Sequence, residues 1–168
     1  IARLVIGNQP ARIEALGLKP TERDLQAIAD AKTLDDVARL MGTVGLGAQS
    51  LFNTRLSVDD KNPAAYAVFL RQSGLGLPDR DYYLKDDDAS KKLREKYVAH
   101  VTKMFSLLGD SKDVAAKNSK TVMDIETSLA KPARTRVELR DPQKNYNKMA
   151  QGDLQKLTPD FNWGDYFA

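Results

Sequence analysis

His100 is the one histidine in this chain, and cysteine is absent. The two side chains that most often hold zinc are therefore nearly missing, and a conventional zinc site within these residues is disfavoured. With no thiolate there is no cysteine nucleophile, and no Ser-His-Asp set can be assembled. Asp86, Asp87 and Asp88 could suggest calcium. The EF-hand spacing of alternating acids, a central glycine and a distal glutamate is absent. Capping of a helix start is the expectation instead. Asp124 and Glu126 fall about 160° apart on one predicted helix, so they make no acid–base pair. Gly42, Gly45 and Gly47 are not followed by Gly-Lys-Ser/Thr, and no apolar strand precedes them, so they read as a helix stop rather than a phosphate loop. From motifs alone the chain is non-catalytic.

Composition sets the frame. The 168 residues are 42% hydrophobic and 29% charged, as a globular domain or one lobe of a larger enzyme would be. No apolar run approaches the ~18 residues of a membrane span. The net charge of +3 comes from 26 Lys and Arg against 23 Asp and Glu. The basic clusters at 91–96 and 131–140 are interleaved with acids or follow an acidic run, so they read as solvated helix faces rather than a nucleic-acid footprint. The chain opens at Ile1 as though an element were under way, and Phe161–Ala168 reads as a helix just begun. Both features are expected of an excerpt from a longer polypeptide.

The elements are mainly helical, with one β-hairpin near residues 51–72. Residues 1–50 read as short helices. Thr21 with Asp24, and Thr33 with Asp36, have capping-box spacing. Leu34, Val37, Ala38, Met41 and Val44 make an amphipathic arc. Residues 51–72 alternate with period two on either side of Asp59-Asp60-Lys61-Asn62-Pro63, which predicts two strands and a longish loop. The second strand is apolar on both faces and wants cover on both. Residues 73–86 read as a loop, anchored by Tyr82 and Tyr83 through packing and hydrogen bonds. Residues 87–168 are the helical half.

Its first long helix spans about Asp88–Leu108, with Leu93, Tyr97, Val101, Met104, Phe105 and Leu108 on its apolar arc, His100 at the edge and Gly109 as stop. The second spans about Asp113–Lys131, with Val114, Val122, Ile125 and Leu129 as its stripe. Asn118 lies inside that stripe and Glu126 at its edge, so both need polar partners. Asp141-Pro142 opens a short helix expected to run through Tyr146 and Met149. A short turn covers Asp153–Leu157, and Asn162 caps a last helix.

Several ordered motifs in these elements carry a resemblance. Phe52-Asn53, Asp59-Asp60-Lys61-Asn62 and the run Gln72-Ser73-Gly74-Leu75-Gly76-Leu77-Pro78-Asp79-Arg80-Asp81-Tyr82-Tyr83-Leu84 come first. Arg140-Asp141-Pro142, Tyr146-Asn147-Lys148-Met149 and Phe161-Asn162-Trp163 follow in order. Together they resemble the N-terminal region of the neprilysin and endothelin-converting-enzyme family of zinc metallopeptidases. Glu14-Ala15-Leu16-Gly17-Leu18-Lys19-Pro20 looks like the bacterial oligopeptidase branch, and the absence of cysteine and of Asn-x-Ser/Thr sequons agrees with it.

The resemblance implies a two-lobed parent enzyme. One lobe would hold zinc on a His-Glu-x-x-His helix, and the other, mostly helical, would close over it to enclose a chamber for peptides. This chain carries neither the zinc motif nor the family's Asn-Ala substrate motif, so no catalytic or metal residue is carried over. Gly74, Gly76, Pro78, Arg80, Asp81, Tyr82, Tyr83, Asp141, Pro142, Tyr146 and Trp163 are expected to be structural. The expected function is a non-catalytic wall or lid of the chamber. Zinc is then a cofactor of the parent alone. The expected partners are the catalytic lobe of the same polypeptide and the parent's peptide substrates, with no nucleic acid and no membrane contact. An exported parent, periplasmic or extracellular, is compatible with this reading. The alternative is a stand-alone, non-catalytic helical interaction module.

Overall fold

The alternation around Asp59–Asn62 closes into an antiparallel hairpin, β1 (Phe52–Asp59) and β2 (Asn62–Gln72). Leu56 faces Val68, Val58 faces Tyr66, and Asp59 faces Asn62 across a register shift at Val58/Asp59. The loop is therefore Asp60-Lys61, shorter than expected. Asp59 accepts from the Lys61 N–H at 2.9 Å and Asn62 from the Ala64 N–H at 3.2 Å, so side chains tighten the turn. Pro63 is admitted to β2 because a two-stranded sheet has only edge strands.

The protein is described by a computed structural model, which covers residues 10–43, 45 and 50–168. The expected element at Ile1–Ile6, Val44 of the amphipathic arc and Gly47 of the helix stop lie outside the described residues. The fold is mainly α with this one hairpin, and the chain divides into two compact units.

One unit contains α1 (Pro10–Leu16), α2 (Glu22–Asp30), α3 (Leu34–Gly42) and α9 (Trp163–Phe167). Thr33 forms the expected capping box: its hydroxyl accepts from the Asp36 N–H, and Asp36 accepts from the Thr33 N–H. Thr21 does not repeat it. Its hydroxyl donates back to the Leu18 carbonyl at 2.9 Å, within a 3-10 turn at Lys19–Thr21. Of the arc on α3, Ala38 is buried while Leu34 and Val37 are exposed. Asn162 caps α9 by accepting from the Asp165 N–H, and Arg39 reaches Asp165 at 3.0 Å.

The other unit holds the hairpin, α4 (Asp81–Leu84), α5 (Asp88–Leu107), α6 (Lys112–Ala130), α7 (Pro142–Asn145) and α8 (Gln151–Leu157). Asp87 caps α5, accepting from both the N–H and the hydroxyl of Ser90. At its end, Gly109 at φ +105 donates to the Ser106 carbonyl, and the Asp110 N–H donates to Phe105. This paired reversal is open to glycine because a left-handed residue is required there.

Two expectations are corrected by packing. The stretch 73–86 contains the short helix α4, which carries Tyr83 into the core. On α6 the buried residues are Ala115, Ser119, Glu126 and Ala130, whereas Val114 and Ile125 are exposed. Small side chains let α5 approach closely, and the Thr102 hydroxyl donates to Ser119 Oγ at 2.7 Å. The core of this unit is Leu77, Tyr83 and Ala130, with Leu75, Tyr82, Leu93, Tyr97 and Met123 packed on it.

Candidate functional site

Burial of a carboxylate away from any cation demands hydrogen-bond donors. Glu126 on α6 is such a group. It accepts from the Tyr83 hydroxyl of α4 at 2.7 Å and from the Tyr97 hydroxyl of α5 at 2.9 Å. The Tyr83 oxygen in turn accepts the Leu77 N–H at 2.8 Å. The glycine-rich loop lies against this cluster. A Cβ added at Gly76 would sit 1.9 Å from the Tyr97 hydroxyl oxygen and 3.2 Å from Glu126 Oε1, so only glycine fits. Burial is the main cause that pushes the Tyr83 hydroxyl's pKa up, and it holds Tyr97 at about 12, with Glu126 adding to both. Both tyrosines stay protonated donors at neutral pH. Every member is committed to another, and the cluster contains no nucleophile–base pair.

A second cluster holds the hairpin tip. The buried Asp59 accepts from Lys148 Nζ at 2.6 Å, from the Tyr146 hydroxyl at 2.8 Å and from the Lys61 N–H. The Lys148 bond is the first cause of an Asp59 carboxyl held down at about 2, followed by those from Lys61 and Tyr146. The Lys61 ammonium also sits 4.4 Å from the Tyr146 ring centre. These contacts explain why α7 ends at Asn145 and does not run on through Tyr146 and Met149: Tyr146 and Lys148 are turned to Asp59 instead.

The remaining expected site residues fall around these clusters. Gly74 packs on Leu51 and Leu129. Pro78 is exposed. Arg80 donates to the Lys131 carbonyl at 3.3 Å. The neighbouring Asp79 pairs with Arg136 at 2.6 Å and accepts the Asp81 N–H. Asp81 pairs with Lys85 at 3.3 Å. Asp141 caps α7 through the N–H groups of Gln143 and Lys144, with Pro142 at the first helical position. Trp163 belongs to the other unit, where its ring lies 4.7 Å from Phe161 and 5.5 Å from Tyr166, both edge-on.

Two partners were not readable from the sequence. Asn118 donates to Asp110 at 2.8 Å, and Glu126 is the hub just described. His100 is exposed on α5, not at a core edge. No group of three or more His, Cys, Asp or Glu able to hold a metal occurs among the described residues, and these residues do not fit a zinc site. No described helix is long and apolar enough to cross a membrane. An open groove of about 530 Å³ lies along α5, lined by Lys91, Arg94, Glu95, Val98, Ala99 and Met123.

The family model of peptidase family M13, N-terminal part, matches residues 8–168. Human endothelin-converting enzyme-like 1 is 34% identical over 118 residues, which is 69% of this chain and 15% of that protein. Endothelin-converting enzyme 1 of Bos taurus is 29% identical over 161 residues, 90% of this chain and 21% of that protein. The zinc metalloprotease Zmp1 of Mycobacterium tuberculosis, solved with an inhibitor, superposes with a TM-score of 0.85 at 28% identity, over 93% of this chain and 24% of that one. The chain thus spans between about a seventh and a quarter of these relatives' length. The ordered motifs, the mainly helical fold and these matches agree: the chain belongs to peptidase family M13, as an N-terminal region of it.

Proposed function

We propose that residues 1–168 are a non-catalytic part of the helical lobe of a zinc metalloendopeptidase, contributing wall or lid to the chamber in which peptides are cleaved. The observation that carries this is the closure of the Glu126–Tyr83–Tyr97 cluster. Tyr83, the most buried side chain of the motif-bearing loop, is bound to Glu126 and to the Leu77 N–H, which holds it as a joint of the fold. Zinc and the groups that activate its water would then lie on the catalytic lobe of the same polypeptide. The partners are that lobe and the peptide substrate.

The test is photo-crosslinking of a peptide inhibitor, carrying a photoreactive side chain, to the intact enzyme. Crosslinks within residues 1–168, competed by substrate, are expected. Crosslinks confined to the rest of the chain would refute a wall or lid role. Metal-dependent peptide cleavage by purified residues 1–168 would refute the non-catalytic reading.

A further inference from the structure

Of all the residues in β1 and β2, Asp59 alone is buried, at 2% exposure. The large apolar side chains of the strands do not follow it inward: Leu56 is 71% exposed, Tyr66 72% and Val68 51%. None of the core residues Leu77, Tyr83 and Ala130, nor those packed on them, comes from the hairpin. A strand pair usually holds its place by burying one apolar face. Here the deepest contact is a carboxylate.

That carboxylate lies at the tip, far from where the chain enters and leaves the hairpin. It accepts from the Tyr146 hydroxyl at 2.8 Å and from Lys148 Nζ at 2.6 Å, and the Lys61 ammonium of the turn sits 4.4 Å from the Tyr146 ring centre. Tyr146 and Lys148 belong to the irregular stretch 146–150 that follows α7. At the base, the Ser73 N–H donates to the Leu51 carbonyl, and Gln72 Nε2 donates to the Leu129 carbonyl at 2.7 Å. Chain continuity secures the base in any case, so the tip is the end that can come free. A two-stranded sheet is marginal in water by itself, and segments with few buried apolar groups open at lower free energy than the core beside them.

We infer that the hairpin is a latched arm: it is closed while Asp59 is seated on Tyr146 and Lys148, and when that contact breaks, β1 and β2 open together while α4, α5 and α6 stay folded. The latch has no graded release. A buried carboxylate that loses Lys148 is left short of its cation, which favours full exposure of Asp59 to water over a half-open tip.

The test is hydrogen exchange of the purified intact protein, followed by mass spectrometry at urea concentrations below the unfolding transition. The hydrogen-bonded amides of β1 and β2 are compared with those of α6. The hairpin amides should exchange about tenfold faster or more, with a weak dependence on urea, because a local opening exposes little surface. In Asp59→Asn and in Lys148→Met the hairpin amides should exchange faster again, by about tenfold or more, with the weak urea dependence kept. Hairpin and α6 amides exchanging together, with one steep urea dependence, would overturn the inference; a cover from elsewhere in the polypeptide would produce that result. Unchanged hairpin exchange in both variants would overturn it as well. The comparison within the unsubstituted protein decides the matter even if neither variant folds.

Discussion

Tyr83 and Glu126 stand 43 positions apart and are joined by a 2.7 Å hydrogen bond inside the core of the larger unit. The tyrosine comes from the glycine-rich loop region and the glutamate from the last third of α6. Their bond ties the loop to the helix pair, so the loop that carries most of the family motif is a structural joint.

Tyr83→Phe should expose what that joint contributes. It removes the donor to Glu126 and the acceptor of the buried Leu77 N–H, leaving two under-satisfied groups at a cost of about 1–3 kcal/mol. Urea unfolding of the variant measures the loss. A double-mutant cycle with Glu126→Ala should give a coupling of roughly 0.5–3 kcal/mol, and additivity would contradict a direct bond.

Gly76→Ala should be costly for a different reason. The added methyl meets the Tyr97 hydroxyl, which can retreat only by leaving Glu126, so overpacking of about 1–3 kcal/mol is expected. Gly152→Ala, on α8 with no atom within 4 Å of the added carbon, should instead stabilise by about 0.5–1 kcal/mol. Equal effects of the two on the thermal midpoint would count against the close approach at Gly76.

The hairpin staple makes an acid-side prediction. Asp59 is held at about 2 in the fold against an ordinary 3.8. A carboxyl with a lowered folded pKa stabilises the fold above its unfolded value, and that contribution is lost as pH falls through the folded value. Stability from this staple should be intact above about pH 5 and fall between about pH 4 and 2. In Asp59→Asn that part of the acid limb should disappear from the urea midpoint measured against pH. An unchanged limb would assign the slope to other carboxylates.

Local signals were legible and distant ones were not. Asp87, Thr33, Gly109, Asp141-Pro142 and Asn162 announce helix ends because a cap acts within three or four residues. The alternation about Asp59–Asn62 likewise announces a hairpin. Its turn is shorter than the alternation predicts because Asn62 and Pro63 look like loop residues, yet an edge strand accepts both. On α6 the larger apolar residues Val114 and Ile125 outweigh Ala115, Ser119 and Ala130 by hydropathy. Close helix approach selects the small ones. That Glu126 needs a partner follows from its place beside the stripe. That the partners are Tyr83 and Tyr97 depends on tertiary contact, which no local pattern encodes. The same holds for Tyr146 and Lys148, whose bonds to Asp59 override the helix expected there.

We propose that this region encloses chemistry performed elsewhere in its polypeptide. Zinc content tests it most directly, measured on the intact protein and on purified residues 1–168 whose helicity has been checked. Bound zinc is expected in the intact protein, and none above background in the 168 residues. Stoichiometric zinc in the isolated region, or no zinc in the intact protein, would contradict it.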